Sequence, residues 1–186
     1  MGIARRRAVF LDRDGVVNAV VLRDGKPRPP ASLDELTLAP AAFESLQDLK
    51  RRGFLLFVAT NQPDVARRLV PRTTVEAIHL AISAALPLDG ILVCYHSDED
   101  GCECRKPLPG LLLQAARRHR IELARSFMIG DRWRDVDAGH NAGCQSILVE
   151  GAYRERNPAR KPEARVKSLR AAANWILHSI SKGESW

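Results

Sequence analysis

Residues 8–18, "AVFLDRDGVVN", carry four apolar residues straight into two aspartates, Asp12 and Asp14, and then a glycine. A run that is apolar at every position has no polar face. That is how a strand buried on both sides of a parallel sheet reads. Two carboxylates at the tip of such a strand repel, and one is forced to take up a proton unless a cation neutralises the pair. A hard divalent ion such as Mg²⁺ accepts one or two carboxylates and leaves room for phosphate oxygens. The stretch predicts a buried strand ending in paired acids, which read either as a cation-binding tip or as a loop with two solvated acids until the rest of the chain is considered.

Comparable runs follow at Phe54–Thr60, "FLLFVAT", Gly90–Cys94, "GILVC", Phe127–Ile129, "FMI", and Ser146–Val149, "SILV". Helical patterns lie between them. Residues 40–53 put Phe43, Leu46 and Leu49 at helical spacing, with Gly53 where a C-terminal cap belongs. Residues 73–87 open with Thr73 and Glu76 at capping-box spacing and end at Pro87. Residues 109–120, 134–143 and 168–180 complete the set, the last with Ser168 as N-cap. Alternation of this kind predicts an α/β fold, a Rossmann-like doubly wound parallel sheet flanked by helices. The expected organisation is one domain over 1–186. It has no large cap domain, a flap or irregular insertion over 19–39, a small zinc-binding loop over 94–104 and a polar linker over 155–165. Ligands of such sheets gather at the carboxyl ends of the strands.

The strand ends carry the chemistry. "TNQ" gives Thr60, Asn61 and Gln62 after the second run, "CRKP" gives Arg105 and Lys106 after the third, and "IGDRWRDVDAG" gives Asp131 and Asp135 after the fourth. An attacking acid, a hydroxyl, a cation and further carboxylates are the parts that phosphoryl transfer needs. A second pattern, "CYHSDEDGCECRKP", spaces Cys94, His96, Cys102 and Cys104 as C-x-H-x5-C-x-C. Three thiols and an imidazole match a closed tetrahedral Zn²⁺ site with no position left for water, hence a structural one. Its role is to fix a loop that cannot bury enough apolar surface to fix itself, directly before Arg105 and Lys106.

Of the 186 residues, 45% are hydrophobic and 27% charged, enough for a sizeable core. A net charge of +7 favours anionic partners. Aromatic residues make up only 5%, so the stacking platforms of a nucleic-acid binder are scarce. The apolar run after Arg5–Arg7 ends at Leu11, short of a secretory leader, and no stretch is long enough to span a membrane. The expectation is a cytoplasmic monomer whose partner is a small phosphorylated metabolite, not nucleic acid or membrane. No G-x-x-x-x-G-K-[ST] loop supports ATP-driven transfer, and no G-x-S-x-G elbow supports serine-hydrolase chemistry.

The order of these motifs resembles the haloacid dehalogenase superfamily of aspartate-nucleophile phosphatases over essentially the whole chain. "FLDRDGVVN", "TNQ", the cysteine–histidine loop running into "RKP", and "GDRWRDVDAG" together look like its zinc-loop branch. That branch contains D-glycero-D-manno-heptose 1,7-bisphosphate phosphatases and histidinol-phosphate phosphatases. The resemblance implies Asp12 as nucleophile, Asp14 as general acid and then base, and Thr60 and Lys106 on the phosphoryl oxygens. It implies Mg²⁺ held by Asp12, the backbone carbonyl of Asp14, and Asp131, with Asp135 orienting Lys106 or metal-bound water. Arg13, Asn18, Asn61, Gln62, Arg105 and Arg132 become substrate-binding residues. Removal of the 7-phosphate of the heptose bisphosphate is the leading activity it implies. Histidinol phosphate or a nucleic-acid 3′-phosphate is the alternative substrate, and a non-catalytic zinc-stapled binding module is the alternative of another class. The chain departs from the branch at Val16 and Val17, at Arg132 where lysine is usual, and at "TNQPDVARRL", which lacks the glycines of the usual "TNQSGIARG". The loop after Gln62 is therefore expected to have its own shape.

Other conspicuous residues are read without a catalytic role. His79, His119 and His140 are packing or surface histidines, Asp137 complements a helix dipole, Cys144 is a small buried residue, and Trp175 is core. Trp133 is read equally as a cover for the site or as a packed helix-start aromatic.

Overall fold

In a computed structural model, which describes residues 6–151 and 156–181, strand β1 (Arg7–Leu11) lies inside a six-stranded sheet. The other strands of that sheet are β4 (Phe54–Asn61), β5 (Gly90–Cys94), β6 (Phe127–Gly130), β7 (Gln145–Val149) and β8 (Ala164–Val166), in the order β5-β4-β1-β6-β7-β8. Every pairing is parallel, so all the carboxyl ends share one edge. Leu11 pairs with Val58 on one side and Ile129 on the other. The chain runs outward from β1 through β4 and β5, then crosses to β6 on β1's other flank. That reversal makes the tip of β1 the crevice where such sheets bind ligands.

Alternate residues of β1 feed two cores, which explains its unbroken apolar run. Val9 and Leu11 pack with Leu46 and Leu49 of α1 (Ala42–Arg51), Ile78 and Ile82 of α2 (Arg72–Ala85) and Ile176 of α5 (Leu169–Ser181). Ala8 and Phe10 pack on the other face with Leu111 and Leu112 of α3 (Gly110–His119) and Ala142 of α4 (Trp133–Ala142). Each fully buried side chain of this size contributes about 1.5–3 kcal/mol, so both faces are needed to hold β1. The five strands and five helices read from the sequence are present. No described helix is long and apolar enough to cross a membrane.

Three local expectations are corrected, and the flap over 19–39 takes a definite form. Phe43 is 45% exposed, because the buried stripe of α1 is Ala42, Ser45, Leu46 and Leu49, and Phe43 lies off it. Thr73 and Glu76 form no capping box: α2 begins at Arg72 behind Pro71 with no side-chain cap, and Glu76 pairs with Arg72. The 19–39 segment holds a hairpin, β2 (Val21–Arg23) against β3 (Lys26–Arg28). Its turn is Asp24–Gly25, both at positive φ, the geometry that right-twisted hairpins prefer. The linker over 155–165 begins outside the described residues, and its end forms β8, pairing Ala164 with Ile147. Arg5, in the expected leader, also lies outside them. Gly53 does follow α1 at positive φ, donating to the Lys50 carbonyl, and the Ser168 hydroxyl accepts the Ala171 N–H.

Candidate active site

Asp12 and Asp14 follow β1, Thr60 and Asn61 end β4, and Asp131 follows β6. The three neighbouring strand tips thus converge. Gly15 permits the convergence: it sits at φ +88°, and a Cβ there would come within 2.6 Å of the Asp131 carboxyl carbon. Carboxylate oxygens of Asp12, Asp131 and Asp135 lie within 4.8 Å of one another, all three residues buried. Lys106 reaches in from the far side, its Nζ 2.7 Å from Asp12 Oδ1, 2.5 Å from Asp135 Oδ1 and 2.7 Å from the Ala59 carbonyl. Asp135 is held in turn by accepting the Arg132 backbone N–H on its other oxygen, at 3.0 Å.

The charges are unbalanced. Burial pushes the Asp12 carboxyl up to about 6, even though Lys106 pulls it down, with Asp135 and Asp14 adding repulsion. Burial, then Asp12 and Asp135, also raise Asp131 well above the carboxylate range. Burial alone would lower Lys106, but the two carboxylates outweigh it and raise it. Both oxygens of Asp131 are buried without a hydrogen-bond partner among the described residues. A buried carboxylate with no hydrogen-bond donor is expensive, and a hard divalent cation between Asp12 and Asp131 would satisfy it. The donor set fits Mg²⁺.

Asp14 is placed differently. Its carboxylate accepts Arg13 Nε and Nη2 at 3.1 and 3.0 Å, Asn18 Nδ2 at 3.0 Å and Gln62 Nε2 at 2.9 Å. Arg13 and Asn18, expected at the substrate mouth, are fully buried behind Asp14 and do not line the cleft. The reason is pairing. Arg13 can be buried because its fork meets Asp14 and its remaining nitrogen lies 2.9 Å from His79 Nε2 on α2. His79 is therefore more than a packing histidine. Burial and then Arg13 hold it near pKa 4, neutral, as an acceptor facing Arg13 must be. Asn61 also serves the backbone: it exchanges two hydrogen bonds with Lys106, at 3.0 and 3.1 Å, and fixes where the lysine enters. Thr60 is buried and accepts Gln62 Nε2 at 2.9 Å, leaving its O–H proton to donate.

Asp12, Asp14, Asn61, Gln62, Arg105, Lys106 and Arg132 line a cleft of about 340 Å³. Its rim also holds Arg28 and Pro29 of the hairpin, Asp64 and Arg67 of the loop after β4, Asp98, and Arg134. None of these side chains is singled out in the sequence, although Arg28 and Pro29 belong to the expected flap, Asp64 and Arg67 to the altered loop after Gln62, and Asp98 to the zinc loop. The Asp24–Gly25 turn was a legible sign of the hairpin; nothing in the sequence marks Asp98. Asp131 borders a second depression of about 650 Å³ with Trp133 and Arg156, whose guanidinium lies 3.3 Å from the Trp133 ring centre.

The sulfur atoms of Cys94, Cys102 and Cys104 and Nδ1 of His96 stand 3.3–3.6 Å apart along four edges. A zinc–sulfur bond of about 2.3 Å gives a tetrahedron edge of about 3.8 Å, so the cluster is near the size that Zn²⁺ requires. Cys144 stands apart, buried, its thiol pushed up to about 12 by desolvation. His119 lies tilted against Phe57, ring centres 4.9 Å apart, and Trp175 packs edge-on to Phe127, as structural residues do. His140 is buried with Nε2 3.1 Å from Glu163, and Asp137 accepts the Ala159 N–H at 2.8 Å, tying that segment to α4.

A model of the HAD-hydrolase-like family matches residues 103–172. The chain is 35% identical over 182 residues to a D-glycero-beta-D-manno-heptose-1,7-bisphosphate 7-phosphatase of Helicobacter pylori, covering 94% of this chain and 99% of the relative. It is 38% identical over 149 residues to the enzyme of that name from Bordetella bronchiseptica, covering 77% and 80%. Among solved structures, the D,D-heptose 1,7-bisphosphate phosphatase of B. bronchiseptica, complexed with magnesium and phosphate, superimposes with a TM-score of 0.75. That match has 32% identity and covers 93% of this chain and 99% of the other.

Proposed function

The chain belongs to the HAD-like hydrolases, among the relatives of the heptose bisphosphate phosphatases, and on that premise we propose that it is a Mg²⁺-dependent phosphatase that removes the 7-phosphate of D-glycero-D-manno-heptose 1,7-bisphosphate. Asp12 attacks phosphorus, forming an acyl phosphate as the bond to the sugar oxygen breaks, and Asp14 gives its proton to the departing oxygen. Asp14, now a carboxylate, takes a proton from water as the water oxygen attacks phosphorus. The Asp12–phosphorus bond then breaks, releasing inorganic phosphate and restoring both acids. Lys106 and the Thr60 hydroxyl hold the phosphoryl oxygens, Asp135 and Asn61 hold Lys106, and Arg13, Asn18 and Gln62 hold Asp14. Arg132 and Arg105 face the rest of the substrate across the cleft.

Asp12, Asp131 and the Asp14 backbone carbonyl would hold Mg²⁺, which supplies neutralising charge for the transferring group. Cys94, His96, Cys102 and Cys104 would hold a structural Zn²⁺. The observation that carries the reading is the pair of unpartnered, buried Asp131 oxygens beside Asp12, faced by a lysine that already bridges two acids. A phosphate-release assay with Mg²⁺ on the heptose bisphosphate, histidinol phosphate and a 3′-phosphorylated oligonucleotide tests it. The heptose bisphosphate is expected to give the highest kcat/KM by at least about tenfold; preference for the oligonucleotide would overturn the assignment.

A further inference from the structure

Arg105 sits at the cleft rim with only 9% of its side chain exposed, yet its nitrogens are all engaged by the protein. Nε and Nη2 donate to the two oxygens of Asp98 at 2.8 and 3.1 Å, and Nη1 donates to the His96 carbonyl at 3.3 Å. Arg67, from the loop after β4, approaches the same carboxylate at 3.4 Å, and Asp64 at 3.5 Å. Asp98 thus joins the cysteine–histidine loop to the loop after β4, directly across the entrance. It is an anion seated where two cations of the cleft converge, and 57% of its side chain faces water. A carboxylate and a phosphate compete for the same guanidinium fork.

We propose that Asp98 is a specificity-determining residue, an internal stand-in for an anionic group that a substrate carries away from its reacting phosphate. Binding of a second phosphate displaces Asp98 from Arg105 and Arg67 into solvent. A substrate with one phosphate leaves the latch shut. This rests on the phosphatase reading for its biological meaning, and concerns discrimination between bisphosphates and monophosphates rather than the chemical step. The geometry favours it: the inner end of the cleft is served by Lys106 and the acids around it, whereas the rim guanidiniums are held by a partner that water can solvate once released. The carboxylate end of the pair is open to water, so Asp98 is solvated on release and an incoming dianion can take its place on the guanidinium fork.

The test is calorimetric binding of two non-hydrolysable probes, 1,6-hexanebisphosphonate and hexylphosphonate, to the Mg²⁺-loaded protein, with Asp98→Asn, Asp98→Ala and Arg105→Ala. Both Asp98 variants are expected to tighten the bisphosphonate about three- to tenfold, in keeping with the loss of one exposed competing charge. The monophosphonate Kd should move by less than twofold, and Arg105→Ala should weaken only the bisphosphonate. Unchanged or weaker bisphosphonate binding in folded Asp98→Asn protein, judged by its melting temperature, would overturn the proposal and make Asp98 a brace for Arg105. The probes contain no sugar, so these outcomes are independent of whether heptose bisphosphate is the substrate. The sugar assay decides that separately.

Discussion

Lys106 meets Asp12 and Asp135 with 2% of its side chain exposed, whereas Arg67 and Arg105 meet a carboxylate that is 57% exposed. The two ends of the cleft use the same pairing and differ in how much water reaches it. At the floor, breaking a pair strands an uncompensated charge in a dry place. At the rim, Asp98 is solvated when released, and a substrate anion can take its place on the guanidiniums. The floor is suited to holding a fixed geometry for phosphoryl transfer, and the rim to exchanging one anion for another.

The sharpest way to break this contrast is at the floor. Asp12→Asn keeps the shape of the site and removes the charge of the proposed nucleophile, so phosphate release should fall by at least about 10³-fold while circular dichroism stays native. Wild-type-like turnover would remove Asp12 as nucleophile. Lys106→Met should cost about 3–5 kcal/mol in urea unfolding, because Asp12 and Asp135 lose their shared counter-ion. A loss under about 1 kcal/mol would mean that water reaches the floor after all.

His79 tests the layer behind the floor. Held near 4 when folded, it is neutral in the native state and protonates near 6.5 once unfolded. The unfolded chain therefore binds more protons between those values, and stability falls as pH drops from 6.5 toward 4. Relative to His79→Gln, the wild type should lose at most about 1.4 kcal/mol per pH unit across that window; parallel curves would show that the ring stays solvated. Chelation should make the three loop thiols reactive while Cys144 stays protected, and should lower Tm by about 2–4 °C for each kcal/mol lost. Thiols that titrate freely before chelation would remove the zinc assignment. The smallest effect belongs to the rim: Arg67→Ala should change stability by less than about 1 kcal/mol, measured by the same urea unfolding.

The same division governs what the sequence revealed. Runs such as 8–11 and 54–60 are apolar at every position because both faces of the sheet are covered, and that signal is local. The spacing of Asp12, Asp14 and the cysteine–histidine set is local as well. Strand β8 is three residues long and exists through its pairing with β7, a contact absent from any window of sequence. Arg13 is held inward not only by its neighbour Asp14 but by His79, 66 positions away, which accepts from its remaining nitrogen. The burial of an arginine depends on partners that only the fold supplies. Asp98 reads as one more acid in a polar loop until the loop after β4 is brought beside it.

The parallel pairing of β1 with both neighbours has a consequence for how the molecule fails. Leu11 is opposite Val58 and Ile129 at once, and a slip of one residue against either strand would turn Asp12 toward the opposite face and shift it by about 3.3 Å. Folding errors at this seam and loss of catalysis are then a single event. Recovery of enzymatic rate after denaturation becomes a direct readout of correct strand alignment.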